Sequence, residues 1–242
     1  MGKTLKKLLM AGTMALLETV YNTGTFNGYS AEKSYNIEES KKNYEVYEAS
    51  RLEEIAKKED KEKFAQPFYL TEDSLNVCIK QAYAKVGKWP KEIDKRLFRL
   101  VIRQESRRNA HARSQTGYLG LGQIGKSAYQ TFNPEKWKEL NTSEGFDTLA
   151  FEKELFNPVT NLGVSLQYFD YLSKFCKKKC PSWDTMSLEN KRKIILACYN
   201  AGHGKVKEAG WDLNSKKLKK ENREYSEKIM EAYHDSKLKV KL

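Results

Sequence analysis

One carboxylate in this sequence lies where a buried catalytic acid would form. Leu97, Val101 and Glu105 follow one another at four-residue steps, so on a helix they form one stripe that ends in the carboxyl group. Burial disfavours the charged form of a carboxyl and raises its pKa, which suits a general acid that works near neutral pH. Glu105 is therefore the candidate catalytic residue. The alternative is a structural Glu paired with a neighbouring arginine. Three arginines are close in sequence: Arg103, Arg107 and Arg108.

The segment that follows Glu105 is a polar loop rich in glycine. No Asp or Glu occurs from Ser106 to Pro134. Three glycines come before Gln123-Ile124, at Gly117, Gly120 and Gly122. Glycine lets backbone donors come close to a ligand, and loops of this kind often carry function. A phosphate-binding loop is the competing interpretation. We set it aside because the sequence predicts no β-strand before the segment.

A third element is the run Tyr199-Asn200-Ala201-Gly202. It follows an apolar helical pattern, and Gly202 ends that pattern as a glycine at the C-terminal end of a helix does. By itself the run indicates only a helix end.

The four cysteines agree with an oxidising compartment. We expect a disulfide between Cys176 and Cys180. Their spacing also resembles half of a metal site, but the three lysines between them would repel a cation and no His follows nearby, so we expect no metal. Cys78 and Cys198 lie on apolar helical faces, where a buried free thiol is at least as reasonable as a disulfide.

Five short blocks together carry a resemblance to a known family. In order they are Glu105-Ser106; Ser114 with Gly117 and Gly120-Leu121-Gly122-Gln123; Asn157-Pro158 with Asn161 and Gly163; Tyr199-Asn200-Ala201-Gly202; and Glu221-Asn222-Arg223-Glu224-Tyr225. Over residues 97–225 the chain resembles the catalytic domain of lytic transglycosylases of the soluble lytic murein transglycosylase type, which are related in fold to goose-type lysozyme. The resemblance implies a lysozyme-like helical domain, a glycine-rich loop bordering the cleft, and peptidoglycan glycan strands as the substrate.

The resemblance also assigns roles to individual residues. It implies that Glu105 is catalytic, that Gln123 and Asn200 contact sugar, and that Tyr199 forms a hydrogen bond near the Glu105 carboxyl. Ser106 either binds sugar or supports Glu105. We read the block around Asn161 as structural, and we expect no cofactor.

Four positions depart from the family pattern. The family usually has Met where Gly122 stands, an aromatic residue at Arg108, Pro at Ala110 and Ala at Cys198. None of these departures removes a catalytic group. Because Gly122 has no side chain to line the cleft, the contacts between the cleft and individual sugars of the substrate are expected to differ from those usual in the family.

The sequence predicts that the elements which position these residues are mainly α-helices. Thr71 caps a predicted helix that ends at Gly87, and Pro90 is expected to open the next helix, which carries Glu105. Further helices are predicted from about 161 to 175, 188 to 199 and 221 to 233. We place the catalytic domain at residues 67–242.

The N-terminal third has two parts. Residues 1–30 have the layout of an export signal: lysines, then an apolar run from Leu8 to Leu17, then a polar stretch that ends at Ser30. A run of ten residues is too short to span a bilayer, so we favour cleavage over a permanent anchor. Residues 31–66 are charged and form a spacer or peripheral helix that would serve to dock an envelope protein assembly.

The formal net charge of +12 points to an anionic partner. Nucleic acid, acidic lipid and cell wall all qualify, but the export signal and the absence of a nucleic-acid motif argue against nucleic acid. We therefore expect an exported monomer, in the periplasm or cell envelope, that cleaves the β-1,4 bond between N-acetylmuramic acid and N-acetylglucosamine without water. The alternatives are a lysozyme that hydrolyses the same bond and a non-catalytic wall-binding module.

Overall fold

The computed structural model describes the backbone of residues 37–87 and 89–239. The chain divides into two compact units, residues 1–53 and 54–242. The export signal expected in residues 1–30 lies outside the described residues. Within the ranges given, no helix has the length and apolar character needed to cross a membrane.

The charged segment before the catalytic region forms a long helix, α1 (Ile37–Ala65). Of the first unit, the structure describes residues 37–53, which are helical throughout. The end of α1 belongs to the second unit. There the Phe64 ring lies 5.2 Å from the rings of His111 and Phe156, and Asp60 pairs with Lys153. These contacts attach the last turns of α1 to the rest of that unit.

The regular elements described in the rest of the second unit are helices and one short antiparallel hairpin. In chain order its further elements are α2 (Glu72–Val86), α3 (Lys95–Ser106), α4 (Lys126–Phe132), α5 (Pro134–Leu140), β1 (Asn141–Thr142), β2 (Gly145–Phe146), α6 (Thr148–Phe156), α7 (Pro158–Lys179), α8 (Leu188–Ala201), α9 (His203–Glu208) and α10 (Lys220–Lys239). A single 3-10 turn, Trp183–Thr185, precedes α8. The predicted mainly α fold is confirmed.

The ends of α2 are those that the sequence predicts. The Thr71 side chain accepts a hydrogen bond from the Ser74 N–H, and Gly87 closes the helix in the left-handed conformation with φ of 69°. The predicted start of the next helix at Pro90 is wrong. Pro90 lies in a turn, and α3 begins at Lys95, because the carboxylate of Asp94 caps it by accepting from the Leu97 N–H at 2.9 Å.

The core lies on both sides of α7. One cluster joins α2, α3, α8 and α10 to α7, and it contains four fully buried residues of α3: Leu97, Phe98, Val101 and Ile102. A smaller cluster lies beneath the glycine-rich loop and contains Leu119, Ile124, Tyr129 and residues of α6. The predicted apolar stripe of α3 is thus buried, and Glu105 follows it at the C-terminal end of the helix.

The cysteines are arranged differently from the expectation. All four, which lie within the described residues, are free thiols, so the structure does not contain the expected bridge between Cys176 and Cys180. These two residues are one helical turn apart, and the Cys180 N–H donates to the Cys176 carbonyl. The sulfur of Cys176 instead contacts that of Cys198 on α8, at 3.7 Å. The hydrogen bond with Cys176, together with burial, raises the pKa of the Cys198 thiol.

Candidate active site

Glu105 lies one residue before the end of α3, and the backbone turns sharply after it. Arg107 and Arg108 both adopt positive φ, 52° and 68°. The hydroxyl of Ser106 donates to the Ile102 carbonyl and accepts from the Arg108 N–H, both at 3.1 Å. Ser106 is buried, so in this structure its hydroxyl holds the end of the helix that carries Glu105.

The carboxyl of Glu105 has one hydrogen-bond donor from the far end of the chain. The hydroxyl of Tyr225, a buried residue on α10, donates to Glu105 Oε1. Burial raises the pKa of Glu105 to about 7, and the hydrogen bond from Tyr225 acts in the opposite direction. Arg108, one candidate partner in the salt-bridge interpretation, pairs with Glu72 at 3.0 Å. The surroundings therefore keep a proton on Glu105 close to neutral pH.

Tyr199 lies beside this carboxyl but binds another group. Its hydroxyl donates to the Gly122 carbonyl at 2.6 Å, and its ring stacks on Phe169 with a centroid distance of 4.3 Å. Burial and the nearby charge of Glu105 both raise the pKa of Tyr199. Tyr199 thus joins the glycine-rich loop to α8, while the bond to the Glu105 carboxyl comes from Tyr225.

The glycine-rich loop is fixed to the start of α7 by one fully buried side chain. Asn161 accepts from the Gly122 N–H at 2.7 Å and donates to the carbonyls of Leu119 and Leu155 at 2.9 and 2.8 Å. A Cβ atom on Gly120 would lie 2.2 Å from Asn161 Nδ2. Glycine is needed at 120 because the loop backbone lies directly against this amide.

The structure also decides between this loop and a phosphate-binding loop. Residues 120–127 have the spacing G-x-x-x-x-G-K-S, which by itself fits the phosphate motif. However, the described backbone before the segment contains no strand beyond isolated bridges. The N–H groups of Gly120, Gln123 and Ile124 are bonded to carbonyls of residues 112–120, and that of Gly122 to Asn161. These donors hold the loop rather than cradle an anion.

A cavity of about 500 Å³ lies between the glycine-rich loop and the end of α8. Gln123, Tyr199 and Asn200 all line it, so the structure brings together three of the predicted site residues. Asn200 Oδ1 accepts from Asn222 of α10 at 2.7 Å. Gln123 has positive φ of 50°, and its amide donates to the Gly120 carbonyl at 2.9 Å. Two polar side chains of the cavity wall, Gln123 and Asn200, are thus held in place by their neighbours.

The carboxylates of the neighbouring segment have other partners. Asp147 caps α6 by accepting from the Ala150 N–H, Glu152 pairs with Arg113, and Glu154 accepts from the Tyr129 hydroxyl. Among the described residues that line the cavity there is no Asp or Glu. Glu105 itself is not in the lining, but it lies close enough to Tyr199, which is, to raise the pKa of that residue.

Two departures from the family pattern have a local cause in the loop and at its base. A Cβ atom on Gly122 would lie 2.1 Å from Ser165 Oγ and 3.0 Å from the Tyr199 hydroxyl, so a larger residue at 122 would have to displace these hydroxyls. The N–H of Ala110 donates to the Phe68 carbonyl at 2.8 Å. Proline has no N–H and would lose that bond.

At the other two departures the side chain has a partner in this structure. Arg108 pairs with Glu72, which also accepts from Arg99. Cys198 contacts the sulfur of Cys176 in the core between α7 and α8. All four departures therefore have a structural partner, and none of them displaces Glu105.

The comparison with protein families agrees with this geometry. Residues 82–224, more than half of the chain, match the model of the family described as Transglycosylase SLT domain. The chain belongs to this family. Its fold is accordingly lysozyme-like, and its activity is that of a lytic transglycosylase on peptidoglycan. None of the curated proteins matches the sequence significantly.

Sequence reasoning did not assign a role to two residues of this SLT domain that hold the site. Tyr225 binds Glu105, and Asn222 binds Asn200. Both belong to the block at 221–225, where their spacing of three residues puts them on one face of α10. The spacing could have indicated that the two residues act together, but it does not predict which residues this face of α10 contacts.

Proposed function

We propose that this SLT domain cleaves the β-1,4 bond between N-acetylmuramic acid and N-acetylglucosamine and leaves a 1,6-anhydro-N-acetylmuramic acid end. The observation that carries the proposal is the partly buried carboxyl of Glu105, which accepts a hydrogen bond from Tyr225 and lies close to Tyr199, a residue in the wall of a cavity whose described lining has no carboxylate. Hydrolysing glycosidases generally use two carboxylates. With one carboxyl, the substrate itself must supply the nucleophile.

In the first step Glu105 acts as the general acid. Its proton passes to the oxygen that links C1 of N-acetylmuramic acid to the next sugar, and the C1–O bond breaks. The 2-acetamido oxygen of the same N-acetylmuramic acid forms a bond to C1 as the leaving sugar departs. Glu105 is now ionised, and the Tyr225 hydroxyl that donates to its Oε1 stabilises that charge.

In the second step Glu105 acts as the general base. It takes the proton of the 6-hydroxyl, O6 forms a bond to C1, and the acetamido oxygen leaves C1. The ring closes, no water is consumed, and Glu105 regains its proton. A carboxyl with a pKa of about 7 suits both steps because neither protonation state is strongly disfavoured.

The other predicted residues take supporting roles in this proposal. Gln123 and Asn200 bind sugar from the cavity wall, Tyr199 shapes the wall, and Ser106 supports Glu105. Peptidoglycan lies outside the cytoplasmic membrane, so the export expected from residues 1–30 fits this substrate. We keep residues 31–66 as a segment that docks a partner in the envelope.

The products test the reaction. Digestion of purified peptidoglycan is expected to release muropeptides with anhydro ends, because O6 rather than water closes the reaction at C1. Mass spectrometry separates the two outcomes: products heavier by one water, with reducing N-acetylmuramic acid ends, would mean that the domain is a hydrolase. Borohydride treatment is the control, since it reduces the hydrolase product and leaves the anhydro product unchanged.

The pH profile tests the role of the Glu105 proton. The free enzyme needs Glu105 protonated, so kcat/KM is expected to fall as the pH rises through about 7, the pKa of this carboxyl. The release of soluble muropeptides, measured at low substrate concentration across the neutral range, gives the half-point. A half-point near 4.5, the ordinary value for Glu, would contradict the assignment.

Tyr225→Phe gives the matched control for the pH profile. The hydroxyl of Tyr225 lowers the pKa of Glu105, so its removal should raise that pKa and move the half-point to higher pH. A merely structural role for Tyr225 would change the rate and leave the half-point in place.

A further inference from the structure

We infer that the ring of Tyr118 is a stacking platform for one N-acetylhexosamine residue of the glycan strand, in a subsite of the cavity beside the glycine-rich loop. Tyr118 lines that cavity and is nearly half exposed, at 48%. Two other tyrosines of the described part are comparably exposed, Tyr69 and Tyr83, and neither of them lines it. The inference rests on the proposed function and adds a binding residue to it.

The backbone of Tyr118 is fixed at both of its polar groups. Its N–H donates to the hydroxyl of Ser114 at 2.9 Å, and its carbonyl accepts from the Ser114 N–H at 2.9 Å. An aromatic side chain on such a segment is already in position before a ligand arrives, so little ordering is needed on binding.

The side chain of Tyr118 rests on a glycine. A Cβ atom on Gly125 would lie 2.9 Å from Cε1 and 3.2 Å from Cδ1 of the ring, which is too close for any residue but glycine without displacing the ring. The ring therefore packs on the bare backbone of Gly125, and its exposure comes from the part that does not face Gly125.

The chemistry of the cavity fits a sugar ring at this position. A β-1,4-linked N-acetylhexosamine carries its large substituents in the ring plane and presents C–H groups on its faces. Such a face packs on the electron-rich face of an aromatic ring. Gln123 and Asn200, in the same lining, offer polar groups to the edges of the sugar. Apolar and aromatic surface with a few convergent polar groups is the usual make-up of a small-ligand site.

The test uses the full chain carrying Glu105→Gln, so that the probe is not cleaved. The probe is the tetramer of β-1,4-linked N-acetylglucosamine, which has no peptide, and its affinity is measured by calorimetry. Tyr118→Ala is expected to weaken binding roughly 10-fold, while Tyr118→Phe stays within about twofold because the ring remains. Tyr83→Ala removes a comparably exposed ring outside the cavity and should leave the affinity unchanged.

Gly125→Ala provides an independent variant. Its Cβ atom displaces the ring, so it should weaken binding when Tyr118 is present and have no further effect in the Tyr118→Ala protein. Absence of tetramer binding before the ring is removed, a Tyr118→Ala affinity within twofold of the parent, or an equal loss in Tyr118→Phe would each overturn the platform. Wall cleavage by the Glu105→Gln protein would count against the proposed function and leave this binding comparison intact.

Discussion

Glu105→Gln is expected to slow peptidoglycan cleavage by at least about 100-fold, the scale of general acid-base catalysis. The amide keeps the shape of the side chain, and its oxygen still accepts from the Tyr225 hydroxyl. It cannot give a proton to the leaving oxygen or take one from the 6-hydroxyl, so both proposed steps lose their catalyst. Zymography on purified peptidoglycan, followed by quantified release of muropeptides, measures the loss.

The stability of the same variant shows whether its fold is intact. In the folded protein the Glu105 pKa is about 7, above its ordinary 4.5. The stabilisation from the protonated carboxyl is therefore complete below pH 4.5 and is lost as the pH rises through 7. Gln has no proton to lose, so Glu105→Gln should melt at a higher temperature than the wild type at pH 8 and at a similar temperature at pH 4. Wild-type cleavage by a variant with this melting behaviour would remove Glu105 from the mechanism.

The parts of the fold that the sequence predicts are the long elements with a strong periodic face. The helices read at 161–175, 188–199 and 221–233 are the inner parts of α7, α8 and α10. Each packs a continuous apolar stripe into the core, and that stripe leaves a pattern that a single sequence can show. α7 and α10 extend beyond the predicted ranges at both ends, and α8 extends by two residues at its C-terminal end.

The short helices left no comparable pattern. α4 and α5 have seven residues each and α6 has nine, about two turns, which is too short for a periodic face to stand out. The start of α3 shows a different limit. Pro90 suits the first turn of a helix, but the carboxylate of Asp94 provides a cap that proline does not, and the helix begins after it.

In the site, too, the features that depend on local sequence could be predicted, and those that depend on tertiary packing could not. The catalytic role of Glu105 came from the resemblance and stays a prediction, but its position could be predicted because it depends on a local feature, the end of an apolar stripe. Its hydrogen-bond partner could not, since Tyr225 lies 120 positions away and tertiary packing alone brings it there. The amide of Asn200 and its partner Asn222, and the sulfurs of Cys176 and Cys198, are likewise paired across helices. Spacing along the chain favoured Cys180 as the partner of Cys176, but in the structure the sulfur of Cys176 contacts that of Cys198 on the facing helix.

Asn161→Ala is expected to destabilise the domain by at least about 3 kcal/mol, because it leaves three buried backbone groups without their partner. Those groups are the N–H of Gly122 and the carbonyls of Leu119 and Leu155. The sequence led us to read Asn161 as structural, and its full burial agrees with that role. Since a folded domain is stable by only about 5–15 kcal/mol, the loss should appear as a clear fall in the denaturant midpoint.

Asn157→Ala is the matched control, since Asn157 lies one turn earlier and bonds only to the first turn of its own helix. Its side chain caps α7 by accepting from the N–H groups of Val159 and Thr160, so its loss should cost about 1 kcal/mol. The Asn161 variant should also lose more activity than its unfolded fraction explains, because the loop that presents Gln123 is no longer bound to α7. Equal destabilisation by the two substitutions would mean that Asn161 acts only as part of the helix start. A larger loss at 161, with kcat/KM reduced under conditions where the variant is folded, would establish that this amide positions the loop for the glycan.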